Sequence, residues 1–160
     1  MQPTVMFKRR VPGLSERKLA EFISEACEHI RLMGAVTVLI TDSKEMIVLN
    51  GRFRGKALAT DVLSFPGPSF VDGFAGDIAV SLDIANRTAR AMGHSTSAEV
   101  RILVLHGLIH LAGYDHESDR GEMTRLEGRL RRKLSLPAGL IERTAAKKGE
   151  MRNRRVPSKT

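Results

Sequence analysis

Residues 96–116 read TSAEVRILVLHGLIHLAGYDH. Thr96 followed by Glu99 is a capping-box pattern, in which the hydroxyl and the carboxylate each satisfy an orphan backbone N–H of a helix start. Val100, Leu103, Val104 and Leu111 then recur at helical spacing as far as Gly113, which predicts one helix. His106 and His110, four residues apart, share a face of it. Gly113 can take the left-handed conformation that ends a helix, and His116 follows three residues later, in reach of the same point. One histidine on an apolar helix is most often packed in a core. Three at this spacing predict a zinc site, each nitrogen about 2.0–2.1 Å from the metal. The sequence offers no fourth Cys or His nearby, so the reading leaves the fourth corner to water, which marks a catalytic site. Asp115 or Glu117 is placed to orient a ligand through a hydrogen bond, or equally to solvate the loop.

The spacing H-x3-H-x2-G-x2-H coincides with the metzincin protease pattern HExxHxxGxxH, with one departure. The second position holds Gly107, not the glutamate that accepts a proton from the activated water. Protease chemistry thereby loses its usual base. Met123 can imitate a Met-turn, but it sits on a regular apolar stripe and reads as core.

Outward from this helix, strands and helices alternate. Residues 15–33 form an amphipathic helix capped by Ser15, carrying Leu19, Phe22, Ile23, Ala26, Ile30 and Met33 on one stripe and stopped by Gly34. Cys27 and His29 lie within it as packed or solvated residues. AVTVLIT (35–41) is a strand, and Asp42 or Ser43 opens a short helix ending near Gly55. TDVLSF (60–65) and GDIAVSL (76–82) are strands separated by a Gly- and Pro-rich loop. A helix from Asp83 to Met92 stops at Gly93, and a last helix from Ser118 or Asp119 buries Met123, Leu126, Leu130 and Leu134. Its outward face (Arg125, Arg129, Arg131, Arg132, Lys133) reads as solvated, with RNA contact the alternative. No internal repeat and no regular βαβ series is present, so the fold class is α+β: a small mixed β-sheet packed with about five helices.

The chain has 160 residues, 42% hydrophobic and 28% charged, which is one core's worth of material. No stretch approaches the length of a membrane span, the N-terminus lacks a secretory layout, and a single cysteine excludes an internal disulfide framework. The expectation is a cytoplasmic protein. Net charge is +8, and from Arg143 to Thr160 seven basic residues face only Glu150. Residues 1–142 are therefore read as the folded domain and 143–160 as a basic, flexible tail, either a phosphate-seeking arm or a solubility tail. Aromatic content of 4%, with no Trp, argues against a platform stacking several bases.

Three blocks resemble the bacterial YbeY endoribonucleases, or ribosomal RNA maturation factors. LNGRFRGKALATDVLSFP (49–66) is similar to the family's LNxxYRGKDxPTDVLSFP, GDIAVS (76–81) to its GDIxIS strand, and HGLIHLAGYDH (106–116) to its metal signature. Phe53 stands where Tyr is usual and Ala59 where Pro is usual. The resemblance implies a zincin-like α+β domain with one zinc ion per chain and single-strand-specific endoribonuclease activity. It implies a role in maturing small-subunit ribosomal RNA at its 3′ end and in ribosome quality control, with RNA and the ribosome or its small subunit as partners and no membrane. The family's functional arginine maps onto Arg54, and its metal ligands onto His106, His110 and His116.

RNA cleavage needs a nucleophile and stabilisation of a pentavalent, phosphorane-like transition state. Zinc lowers the pKa of its water from 15.7 towards about 7 or polarises a phosphoryl oxygen. Arg54 offers a planar fork to phosphate oxygens, and Lys56 a further contact. Val62, Leu63 and Phe65 read as core; Thr60, Asp61 and Ser64 either line the cleft or satisfy backbone groups. Two other readings stand beside the ribonuclease: a zincin-like metalloprotease with a substitute base, and a non-catalytic ribosome assembly factor with a structural metal. The sequence does not state the oligomeric form.

Overall fold

The computed structural model describes residues 2–55, 60–68, 72–115 and 117–137. His116, Lys56 and the tail from residue 143 lie outside them. The described elements are β1 (Thr4–Phe7), α1 (Glu16–Ile30), β2 (Ala35–Thr41), α2 (Ser43–Arg54), β3 (Val62–Pro66), β4 (Phe74–Ser81), α3 (Leu82–Met92), α4 (Thr96–Leu111) and α5 (Glu122–Lys133). The sheet runs β1-β2-β4-β3. β1 pairs parallel with β2 and β2 with β4, whereas β3 returns antiparallel along β4, with Ser64 opposite Ile78. This is the expected small mixed sheet with five helices.

α4 is the hub. From Ile102 to Ile109 every residue is buried, so the helix has no solvent stripe and packs on α1, α3, α5, β3 and β4. Val38, Ile40, Ile78 and Val80 of the sheet meet Leu103, Val104 and Leu108 of α4 in one core.

Several boundaries differ from the sequence reading. The residue capping α4 is Ser95, whose hydroxyl accepts from Ala98 N–H at 3.1 Å. Thr96 instead donates to Asn86 Oδ1 at 2.8 Å, and Glu99 is wholly buried with its carboxylate 2.6 Å from His94 Nε2. The pattern marked the helix start, but tertiary partners claimed both side chains. α1 ends at Ile30, because Arg31 takes the left-handed conformation (φ 60°) and its N–H bonds Cys27 and Glu28 carbonyls. Met33 is consequently off the stripe and 84% exposed. Burial pushes the Cys27 thiol up to about 11, so it is no nucleophile at neutral pH. α5 begins at Glu122, three residues after Asp119, whose carboxylate accepts from Gly121 and Met123 N–H groups. Met123 is fully buried, as its stripe implied. β1 has no counterpart in the sequence reading: its four residues alternate between exposed and half-buried at a sheet edge, too short a pattern to stand out.

Candidate active-site cleft

The C-terminal half of α4 carries His106 and His110 on one face, as their spacing predicts. Their rings lie edge to face, centroids 4.7 Å apart, and the two Nε2 atoms are 3.1 Å apart. Each Nδ1 is engaged elsewhere. That of His110 is 2.9 Å from the Tyr114 carbonyl oxygen, which only accepts, so this nitrogen carries the hydrogen. That of His106 is 3.2 Å from Oε2 of Glu127, a carboxylate 1% exposed. With the hydrogen on Nδ1, Nε2 of each ring is the nitrogen left to act as a lone-pair donor, and the two Nε2 atoms face each other. Two zinc–nitrogen bonds of about 2.0–2.1 Å at a tetrahedral angle separate their nitrogens by about 3.3 Å, so the pair fits a shared divalent ion. Among the described residues no three His, Cys, Asp or Glu side chains gather as a metal-binding group, His116 being outside them.

Glu127 was not singled out in the sequence reading, although a signal existed. It lies one turn from Met123 and from Leu130 on the buried face of α5, where a carboxylate needs a partner. Asp115 lines the cleft, and its Oδ1 accepts from the Glu117 N–H at 3.0 Å.

The cleft, about 550 Å³ in volume, brings α2, β3 and the end of α4 together. Arg54, Thr60, Ser64, His106, His110 and Tyr114 line it. Gly55, in the left-handed conformation (φ 69°), ends α2 directly after Arg54. Arg54 Nη2 donates to the Ser64 carbonyl at 2.6 Å, and its guanidinium lies 5.8 Å from the Phe65 ring centre. These contacts clamp the fork across edge strand β3 while leaving N–H groups for an anion.

Gly107 has a structural reason. A Cβ there would lie 3.0 Å from Ile78 Cδ1 and 3.1 Å from Ser64 Oγ, and Ser64 Oγ already donates to the Gly107 carbonyl at 3.3 Å. Thr60 and Ser64 thus line the cleft, and Ser64 also satisfies a backbone group. Asp61 is held through its own carbonyl by Ser81 N–H at 2.9 Å, and burial pushes its carboxyl above the ordinary range.

An α+β layout with a histidine pair opening onto an arginine-clamped cleft defines the class of protein. The family model described as Endoribonuclease YbeY matches residues 8–135. The Endoribonuclease YbeY of Koribacter versatilis is 52% identical over 153 residues, covering 94% of this chain and 99% of that protein. That of Solibacter usitatus is 44% identical over 142 residues, covering 88% and 93%. A solution structure of a Thermotoga maritima protein is 25% identical with TM-score 0.60, covering 99% of each chain. This chain belongs to the YbeY family.

Proposed function

We propose that this protein is a zinc-dependent, single-strand-specific endoribonuclease that matures small-subunit ribosomal RNA, including its 3′ end, and serves ribosome quality control in the cytoplasm. The observation that carries this reading is the convergence of the His106 and His110 Nε2 atoms, 3.1 Å apart, in the cleft that Arg54 lines. The family match and the relatives named Endoribonuclease YbeY support RNA as the substrate. No helix among the described residues is long and apolar enough to cross a membrane.

His106, His110 and His116 would hold one zinc ion, which would supply an acidified water or polarise a phosphoryl oxygen. The chain's own residues do the rest. Glu127 and the Tyr114 carbonyl orient the first two rings by accepting their Nδ1–H groups. Arg54 binds the scissile phosphate and neutralises the charge that builds on its oxygens. Ser64 holds the guanidinium in place through its carbonyl. Lys56 adds a phosphate contact, and Asp115 a hydrogen bond at the mouth of the cleft. Residues 1–142 are the catalytic domain, and the basic residues 143–160 strengthen RNA association in a salt-dependent way.

Two observations speak against a protease. The usual glutamate position is sealed by Ile78 and Ser64, and the edge carbonyl of Ser64, which a peptide strand would use, is taken by Arg54. Purified protein on single-stranded RNA, with and without chelator, tests the proposal. Cleavage should require metal, and Arg54→Ala should keep metal and fold while losing cleavage by about 100-fold or more. Cleavage surviving in Arg54→Ala, or a His110→Ala variant that merely unfolds with no RNA cut by wild type, overturns it. The second outcome would favour the assembly factor with a structural metal.

A further inference from the structure

The face of α2 that buries Met46 and Asn50 continues at helical spacing to Phe53, yet the Phe53 ring is 61% exposed. It is the most exposed phenylalanine or tyrosine among the described residues. Its one ring partner among them is Phe65 on edge strand β3, at 5.3 Å between centroids and tilted by 57°, so the two do not stack face to face. The Arg54 guanidinium also neighbours Phe65, 5.8 Å from its ring centre. Phe53 and Arg54 thus both neighbour Phe65, Arg54 also lines the cleft, and Arg52 and Arg54 supply charge on the last turn of α2. An exposed ring next in sequence to a clamped cation that lines the cleft suits a ligand with a flat apolar face and an attached anion. A nucleotide in a single strand has both.

We propose that Phe53 is a base-stacking subsite, taking one unpaired nucleobase of the substrate strand while Arg54 takes an adjoining phosphate. The proposal rests on the ribonuclease reading of the same cleft and deepens it. Stacking is tolerant of base identity, because every base has a π-face. It is also intolerant of a duplex, whose bases are already stacked and paired. A single such ring fits the low aromatic content, and it assigns the preference for single strands to a named side chain.

The test is anisotropy binding of a fluorescent single-stranded RNA oligomer to the full chain, with chelator present to prevent cleavage. Phe53→Ala should weaken binding about 5- to 100-fold, the range expected for one lost stack, with the salt dependence unchanged because phosphate contacts remain. Phe53→Tyr should restore affinity and Phe53→Leu should not, and all three should melt within a few degrees of wild type. On a ribose-phosphate oligomer without bases, wild type and Phe53→Ala should bind alike. Equal RNA affinity of Phe53→Ala and wild type overturns the subsite but leaves the ribonuclease reading standing. Full rescue by Leu overturns it too, as does a sedimentation shift showing that the ring joins two copies of the chain without affecting RNA. Wild-type protein that neither binds nor cuts single-stranded RNA overturns both.

Discussion

Glu127 places Oε2 3.2 Å from Nδ1 of His106, across 21 residues of sequence and between two different helices. The carboxylate is 1% exposed and the histidine 9%. Burying a carboxylate is costly unless it is hydrogen-bonded, and here the bond sets which imidazole nitrogen faces the cleft.

Glu127→Ala should therefore weaken binding of a divalent metal about 10- to 100-fold, the usual consequence of removing such a partner. Glu127→Gln, which retains an accepting oxygen, should lose less. Titration against a competing chelator reads this directly, and an affinity unchanged in Glu127→Ala would mean the contact does not orient the ring.

At Gly107 the prediction concerns packing. Gly107→Ala gains up to about 1 kcal/mol of helix propensity against a tight fit on Ile78 and Ser64, so its change should be small. Gly107→Glu adds a carboxylate between α4 and the sheet and should cost about 3 kcal/mol or more. A Gly107→Glu variant with wild-type melting temperature, or one that acquires proteolytic activity, contradicts this account.

The start of α2 should respond to acid. The backbone bond from Glu45 N–H holds the Asp42 carboxyl below its ordinary range, with Arg9 adding to it. Lys8 at 2.8 Å and the Thr41 hydroxyl hold Glu45 low. A carboxyl with a lowered pKa in the fold contributes stability above its unfolded value, near 4, and loses it as pH falls through the lowered one. Urea midpoints of wild type and Glu45→Gln should differ at pH 6, and the gap should shrink as pH falls through the lowered Glu45 pKa. A gap that persists at low pH would show that the carboxylate's charge is not what stabilises this corner.

Glu99, 0% exposed, has its carboxylate 2.6 Å from His94. His94→Ala should destabilise the fold by about 2–3 kcal/mol while cleavage per folded molecule stays near wild type. Denaturation curves with activity normalised to the folded fraction check both halves, and a specific loss of activity would place the pair in the reaction.

Much of the local structure was legible. Gly55 and Gly93 end their helices as read, because a left-handed terminal residue is a short-range requirement that glycine meets with least strain. Ser15 caps as read, and of Asp42 and Ser43, the two residues read for the start of α2, Asp42 is the cap. The errors fell where side chains had distant partners: Thr96 and Glu99 match a capping box but serve Asn86 and His94. β1 escaped notice because an edge strand of four half-exposed residues owes its existence to β2.

The site divides along the same line. Helical periodicity alone put His106 and His110 on one face, since four residues are about one turn. What stands opposite that face is not encoded in any period. The clamp of Arg54 on Ser64, the seat of Glu127 against His106 and the seal around Gly107 join residues 10, 21 and 43 positions apart (the last through Ser64), and exist only because α2, α5 and α4 are packed around one sheet. A residue's own neighbours along the chain determine which way it points; the folded core determines what it meets there.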